Sequence, residues 1–419
     1  MDRLVRSRAM FPLTRKEQHC TILSLRISLE HQIRRECRGK DTSETGETGP
    51  GRSSLEERRT LSTNCELYIP IMNKKEKRKK IRKMTNSYPW NSSDQDNLQQ
   101  YFHHDIQSGT SDFDTTTCRA AIDKVIKLIH QEMKSKHGCS FSISKIVKGG
   151  SLGKGTMVRD ISDVDLIVFM NEPDMEPIDT IGPNRYQQQL SEVLKRLKTK
   201  LEKLGVTNIT LKRFLLTFKI RAGGRSVVVD LLPTADNRSS SDRSHMYDKM
   251  QQRSADGREF YSPSLVKEQK EFVKEQPSAV KSLIRMVKVW ANRSLPKSLQ
   301  KSYPLELLTI HLWERAGSPE SFNMARGLKC VIAMLPCLHH RLKKPVYWTK
   351  YYSEGRALTA IRGMDNPILL DPANPTNNVF KLYHDPENKK DLARASSMTM
   401  TSVLMRSVGR VRKGRNWNR

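Results

Sequence analysis

The spacing of apolar positions changes along the chain, and the changes mark its parts. Up to about residue 90 no period is sustained, apart from a short apolar patch at Ile22 to Ile27. Charge mixes with Ser, Thr and Gly from Asp41 to Ser54, and a dense basic run follows at Lys74 to Lys83. Such a stretch buries too little apolar surface to offset the entropy of ordering it, so residues 1–95 are expected to be a disordered basic extension. From about residue 115 the pattern becomes globular. Ala120, Ile122, Val125, Ile126 and Ile129 recur at helical spacing, and Ser142 to Val147 alternates as a strand does. Val164 to Met170 reads as a buried strand, and Tyr186 to Leu204 as an amphipathic helix with Leu190, Val193, Leu194, Leu197 and Leu201 on one face. Ile209 to Leu211, Leu215 to Ile220 and Ser226 to Leu232 read as further strands, and from residue 263 the period is mostly helical. The expected class is α+β in two lobes: a mixed αβ lobe over 96–260, a helical lobe over 261–385 and a basic tail over 386–419 that lacks apolar pattern after Arg406.

Composition sharpens this. A chain of 419 residues is long enough for two lobes with sizeable cores. Its 74 Lys and Arg against 45 Asp and Glu leave a net charge of +29, a field that draws polyanions, nucleic acid first and an anionic membrane surface second. No run of apolar residues reaches the length of a membrane span, and no secretory leader is evident. Seven cysteines, odd in number and widely spaced, suit a reducing compartment. The cytoplasm is the expected location, with the nucleus as a second one if the Lys74–Lys83 run is a localisation signal.

The chemistry concentrates in two places. A glycine loop, Gly149-Gly150-Ser151-Leu152-Gly153-Lys154-Gly155-Thr156, precedes the strand that begins Ser162-Asp163-Val164-Asp165. Alternation puts Asp163 and Asp165 on one face, where two carboxylates repel unless cations lie between them. Hard divalent ions with oxygen ligands suit that arrangement: two Mg²⁺, with Mn²⁺ as the alternative. Asp230 ends a second apolar strand, and beside the first it completes a three-acid cluster of the kind that activates an attacking oxygen and stabilises a leaving one in phosphoryl transfer. Taken singly, each acid has an ordinary explanation: a strand cap, a partner for a base, the start of a turn. The loop lacks the Walker spacing, but its N–H groups and the Ser151 hydroxyl lie where triphosphate oxygens can be held.

These motifs resemble the 2′-5′ oligoadenylate synthetases, within the polymerase-β-type nucleotidyltransferase superfamily. The resemblance runs from about 115 to 380. It is carried by Lys145-Ile146-Val147-Lys148-Gly149-Gly150-Ser151, by Ser162-Asp163-Val164-Asp165, and by Val229-Asp230-Leu231-Leu232-Pro233. It continues through Lys281 to Trp290, Tyr303 to Thr309, Trp313-Glu314, Tyr347 to Tyr352, and Asp371 to Thr376. It implies an αβ catalytic lobe packed on a helical lobe, with the active site in the cleft. It further implies an innate antiviral enzyme, activated by double-stranded RNA, that polymerises ATP into 2′-5′-linked oligoadenylate and releases pyrophosphate. Asp163, Asp165 and Asp230 match the metal-binding acids. Gly150, Ser151 and Lys154 of the loop, with Arg285, Lys288 and Tyr303, match the ATP-binding groups; Tyr303 is the aromatic expected to stack on adenine. Arg285 and Lys288 also share a helical face, where two cations repel unless an anion lies opposite, and a triphosphate would serve. Ser302 stands where the family usually has Gln, and Leu152 where a second Ser is common. No Cys-Phe-Lys triplet is present, which points to a monomer.

Double-stranded RNA is expected along Lys148 and along Lys267, Lys270 and Lys274, which share a helical face suited to phosphates read by shape; Lys127 is a further candidate. Cys330, Cys337, His339 and His340 fit no standard zinc spacing and read as a core helix with surface histidines. Without RNA, Asp230 is expected to lie too far from Asp163 and Asp165 for all three to share two metals. A cyclic-dinucleotide synthase of the same fold and an inactive RNA-binding homologue are the competing readings; the intact acids count against the second.

Overall fold

The computed structural model of the protein describes residues 119–133, 141–159, 161–222, 225–238 and 243–408, with 98, 100–103, 106, 117 and 417. The expected extension at 1–95, including the Lys74–Lys83 run, lies outside the described residues.

Five strands make one mixed sheet. In spatial order these are β1 (Ile143–Lys148), β2 (Val164–Met170), β5 (Arg225–Ala235), β4 (Leu216–Ala222) and β3 (Thr210–Leu211). β2 and β5 run parallel; every other neighbouring pair is antiparallel. β2 reads as an unbroken apolar run because Val164 and Leu166 to Met170 are all buried, on both faces of a covered central strand. Asp165 is the one polar residue in it.

Helix α1 (Arg119–Met133) packs against β4 and buries Ala121, Ile122 and Val125; Ala120, expected on that stripe, is exposed. The glycine loop contains a short helix, α2 (Gly150–Lys154). α3 spans Ile178–Lys203 and packs on the sheet through the expected apolar face. It starts earlier than its period suggests, because Gly182 (φ +75) and Pro183 kink it and hide the first turn from any periodic pattern.

The second half is helical: α4 (Arg243–Gln252), α5 (Val266–Lys274), α6 (Ser278–Ser294), α7 (Ser302–Arg315), α8 (Met324–Met334) and α9 (Pro386–Met400). α6 buries Val280, Leu283, Ile284 and Val287 as expected. It also buries Met286, Val289, Trp290 and Ala291, which makes it a central helix covered nearly all round.

Two boundaries differ from expectation. The segment 386–408 is not a tail, since α9 and the short helix Val403–Ser407 close the helical core with Leu392, Leu404 and Met405 at 1% exposure or less. After Leu392 the buried face of α9 is Ala395, Ser396 and Thr399, small or polar, so no apolar stripe shows, yet Trp290 Nε1 donates to Thr399 Oγ1 at 2.8 Å and Lys329 Nζ to the Met405 and Val408 carbonyls at 2.6 and 2.7 Å. Residue 260 does not divide the cores either. Leu98, Phe102 and Ile106 pack in the helical core, and Tyr352, Ala357, Ile368 and Ala373 pack in the sheet-side core. No described helix is long and apolar enough to cross a membrane.

Candidate active site

The parallel pairing of β2 with β5 puts Asp165 directly beside Asp230. On the next strand Thr217 opposes Asp230, and its hydroxyl donates to Asp230 Oδ1 at 2.6 Å. Asp163 stands one residue before β2, exposed, at the same end. The acids are therefore gathered by the sheet itself. The register sets Asp230 beside Asp165 in one hydrogen-bonded sheet, yet among the described residues the three acids do not stand in metal-ligand geometry together, which agrees with the expectation that they do not share two metals without RNA.

The electrostatics follow from that crowding. Burial, then repulsion from Asp230 and Asp163, pushes the Asp165 carboxyl up to about 7, with Lys154 and Lys288 opposing. Burial and then Asp230 also raise Asp163, against Lys212. The donor set is all oxygen, three carboxylates with the Thr217 hydroxyl beside them, which fits a hard divalent cation and not a thiophilic one. Among the described residues no three acidic, His or Cys side chains already stand in ligand geometry, so these carboxylates have to converge further on an ion.

The glycine loop runs against the acids. Gly149 N–H donates to the Asp165 carbonyl at 2.9 Å. Gly150 adopts φ +49, and a Cβ there would fall 1.6 Å from Asp165 Oδ2, so only glycine fits both the conformation and the space. Leu152 packs on the sheet-side core, which explains an apolar residue in this loop.

Behind the loop lies a buried charge network. Lys288 Nζ reaches Ser151 Oγ at 2.8 Å, the Thr156 carbonyl and hydroxyl at 3.0 Å each, and Glu306 Oε1 at 2.6 Å. Lys154 Nζ pairs with Glu306 Oε2 at 3.0 Å and stands 3.9 Å over the Tyr303 ring. Burial alone would raise the Glu306 carboxyl, but Lys154 and Lys288 outweigh it and hold it down at about 2. Arg285 clamps the loop from α6, reaching the Gly155 and Met157 carbonyls at 2.7 and 3.3 Å. Lys288 thus has Glu306 as its carboxylate partner within the chain, and the loop carbonyls hold Arg285. Two buried ammonium groups against one carboxylate still leave a positive surplus beside the acids.

The network continues outward. Tyr303 OH donates to Asp371 Oδ1 at 2.9 Å, and Gln269 of α5 donates to Asp371 Oδ2 at 2.6 Å. Sequence reasoning quoted the stretches holding Glu306 and Asp371 but gave neither a role. The available signal was an acid inside an apolar run, Leu305-Glu306-Leu307-Leu308 and Leu369-Leu370-Asp371, which is costly unless partnered.

The expected RNA residues divide. Lys148, Lys267 and Lys274 are exposed, and Lys270 is half-buried. Gly153 joins two of them: a Cβ there would meet the Lys148 carbonyl at 2.5 Å and Lys270 Cδ at 2.9 Å. Lys127 is exposed on α1, a different helix set against β4. Elsewhere, Cys330 is buried in the helical core, Cys337 is half-buried, and a ring nitrogen of His339 lies 3.3 Å from the Tyr383 carbonyl.

Fold and acid cluster together define a nucleotidyltransferase, and a nucleotidyltransferase domain description matches residues 126–222. A second family description, "2'-5'-oligoadenylate synthetase 1, domain 2, C-terminus", matches residues 240–418, so the likeness extends through the segment expected to be a tail. The chain is 33% identical over 289 residues to the mouse (Mus musculus) 2'-5'-oligoadenylate synthase 1A, covering 61% of this chain and 74% of that protein. It is also 33% identical over 303 residues to the mouse 2'-5'-oligoadenylate synthase-like protein 2, covering 66% and 57%. Among solved structures, E. coli MS115-1 CdnC with ATP is similar at TM-score 0.48 and 18% identity, covering 75% of this chain and 98% of that one. The chain belongs to the 2′-5′-oligoadenylate synthase family.

Proposed function

We propose that this nucleotidyltransferase joins ATP into 2′-5′-linked oligoadenylate when double-stranded RNA binds, as a second-messenger synthase of antiviral defence. The observation that carries the chemistry is the register pairing of Asp165 with Asp230, with Asp163 at the same strand end.

Asp163, Asp165 and Asp230 are the residues to hold two Mg²⁺ ions, which supply Lewis-acid stabilisation of the attacking and leaving oxygens. The acceptor 2′-oxygen bonds to the donor α-phosphorus, the α–β phosphoanhydride bond breaks, pyrophosphate leaves, and the hydroxyl proton passes to the acid cluster. Gly150 and Ser151 line the path of the triphosphate. The surplus positive charge of Lys154 and Lys288, which share one buried partner in Glu306, favours its anionic oxygens. Arg285 keeps the loop in place, and Tyr303, over which Lys154 stands, offers a ring to the adenine.

RNA phosphates on Lys148 and Lys270 would pull on α2, whose Gly153 touches both while Gly150 touches Asp165. That short helix is then an element through which RNA reaches the acids. A ligand shifts a conformation only by its differential affinity for the two states, so RNA must bind the aligned loop more tightly.

The test is product analysis with ATP or GTP, Mg²⁺, and double-stranded RNA present or absent. RNA-dependent adenylate oligomers that resist nucleases specific for 3′-5′ linkages are expected. Cyclic dinucleotides, RNA-independent synthesis, or no product at all would each overturn the reading.

A further inference from the structure

Two stretches of the resemblance, Trp313-Glu314 and Tyr347-Trp348, play no part in the chemistry above, and they meet elsewhere. The C-terminal end of α7 and the segment His340–Trp348 line an open pocket of about 560 Å³ in the helical half. It has none of the three acids in its wall and none of the α5 lysines. Its volume is in the range of small-molecule sites.

The wall is strongly basic: Arg315, Arg341, Lys343 and Lys344 all line it, and none has a carboxylate within 4.0 Å among the described residues. The only acid in the wall is Glu314, and both its oxygens accept from Trp348 Nε1, at 3.0 and 2.9 Å. That contact fixes the indole as a side of the cavity instead of neutralising a cation. In the same wall, His311 has a buried Nε2 with no hydrogen-bond partner among the described residues. Burial, then Arg315, pushes this imidazole down to about 4, so it is neutral at physiological pH with a ring nitrogen unspent. Lys343 and Lys344 sit on anchored backbone: Leu342 and Val346 are buried on either side of them, and Val346 bridges to Leu369. Four like charges held around one hollow repel, and the arrangement is relieved when an anion enters. Two aromatic rings and an unpaired imidazole beside those charges are the complement of a base attached to phosphates.

We propose that this cavity is a second nucleotide site, taking a nucleoside polyphosphate with its phosphates on Arg315, Arg341, Lys343 and Lys344 and its base against Tyr347 and Trp348. The inference does not depend on the product made at the acid cluster.

The experiment is equilibrium dialysis of labelled ATP against the full chain in EDTA without RNA, which removes metal-dependent binding at the acids. One equivalent of ATP is expected to bind, with affinity falling as salt rises. Arg341→Ala/Lys343→Ala/Lys344→Ala should weaken it at least tenfold. These are exposed side chains, and the charge-reversing pair Lys343→Glu/Lys344→Glu provides a second variant should the first not fold. Inorganic tripolyphosphate should compete, but more weakly than ATP, since it has no base to stack. Absence of EDTA-resistant binding, unchanged affinity in both variants, or equal affinity for tripolyphosphate would overturn the proposal. So would a loss of double-stranded-RNA affinity with ATP binding intact, which would make these cations part of an RNA surface.

Discussion

At Glu306 one carboxylate is shared by two buried ammonium groups, and among the described residues no second carboxylate pairs with either. Replacing it by Gln leaves both cations with a neutral acceptor. Breaking a buried pair in this way costs about 3 kcal/mol or somewhat more. The pH dependence has a definite sign. The folded carboxyl is held at about 2 against an ordinary 4.5, so its stabilisation is fully present above pH 4.5 and is lost as pH falls toward 2. Urea melts of the wild type and Glu306→Gln should therefore differ most near neutrality and converge below pH 4.5; a constant gap across that window would assign the ionisation elsewhere. Asp165 is the opposite case, because burial and its acidic neighbours work against its charge. Asp165→Asn should raise Tm in EDTA by a few degrees while abolishing product formation, a stability–activity trade typical of active sites. A variant that loses Tm in EDTA, or keeps wild-type turnover, would remove Asp165 from the acid cluster's chemistry. Asp163→Asn and Asp230→Asn should likewise abolish product while leaving RNA affinity intact, measured in the same assays.

Among elements, α5 faces two ways. Its buried face carries Phe272 and Val273, and Gln269 bonds to Asp371, while Lys267 and Lys274 face solvent with Lys270 half-buried. The helix thus joins an outer row of cations to the residue that holds Tyr303. If that row touches phosphates, Lys267→Glu/Lys270→Glu/Lys274→Glu should weaken double-stranded RNA of every sequence alike. The slope of log affinity against log salt should become shallower by roughly 0.9 for each phosphate that the variant no longer neutralises. An unchanged slope in a filter-binding titration would move the RNA off this helix. Gly153 supports the placement, since its missing side chain is what lets α2 approach both Lys148 and Lys270.

For the whole molecule, the two cores are interleaved along the chain. The C-terminal helices close the helical core over Trp290 through the Thr399 hydroxyl, and Ser396 Oγ donates to the Ile332 carbonyl at 2.8 Å. A chain ending at residue 385 should therefore lose cooperative unfolding and expose apolar surface, seen as a broadened melt and dye binding. A sharp melt at the wild-type Tm would show that α9 is dispensable. Because Tyr352, Ala357 and Ile368 return to the sheet-side core, separate expression of 96–260 should also yield an incompletely packed lobe.

By itself the sequence determined the strands and helices with a clean period, β2 and the apolar face of α6 above all, and the shared face of Asp163 and Asp165; Asp230, expected to end a strand, lies in the middle of β5. It also carried enough ordered motifs to reach the family. Apolar periodicity failed at the Gly182 kink, and in α9, where the buried face continues from Leu392 through Ala395, Ser396 and Thr399, too small or polar to show as a stripe. Only the tertiary structure decided which strand stands beside which. That pairing brings Asp230 beside Asp165. The partners of Lys288 and Tyr303 were also beyond the sequence, because a buried ion pair such as Lys154–Glu306 joins positions 152 apart in the chain. Nothing local records such a pairing; it exists only once the sheet and the helices have closed on each other.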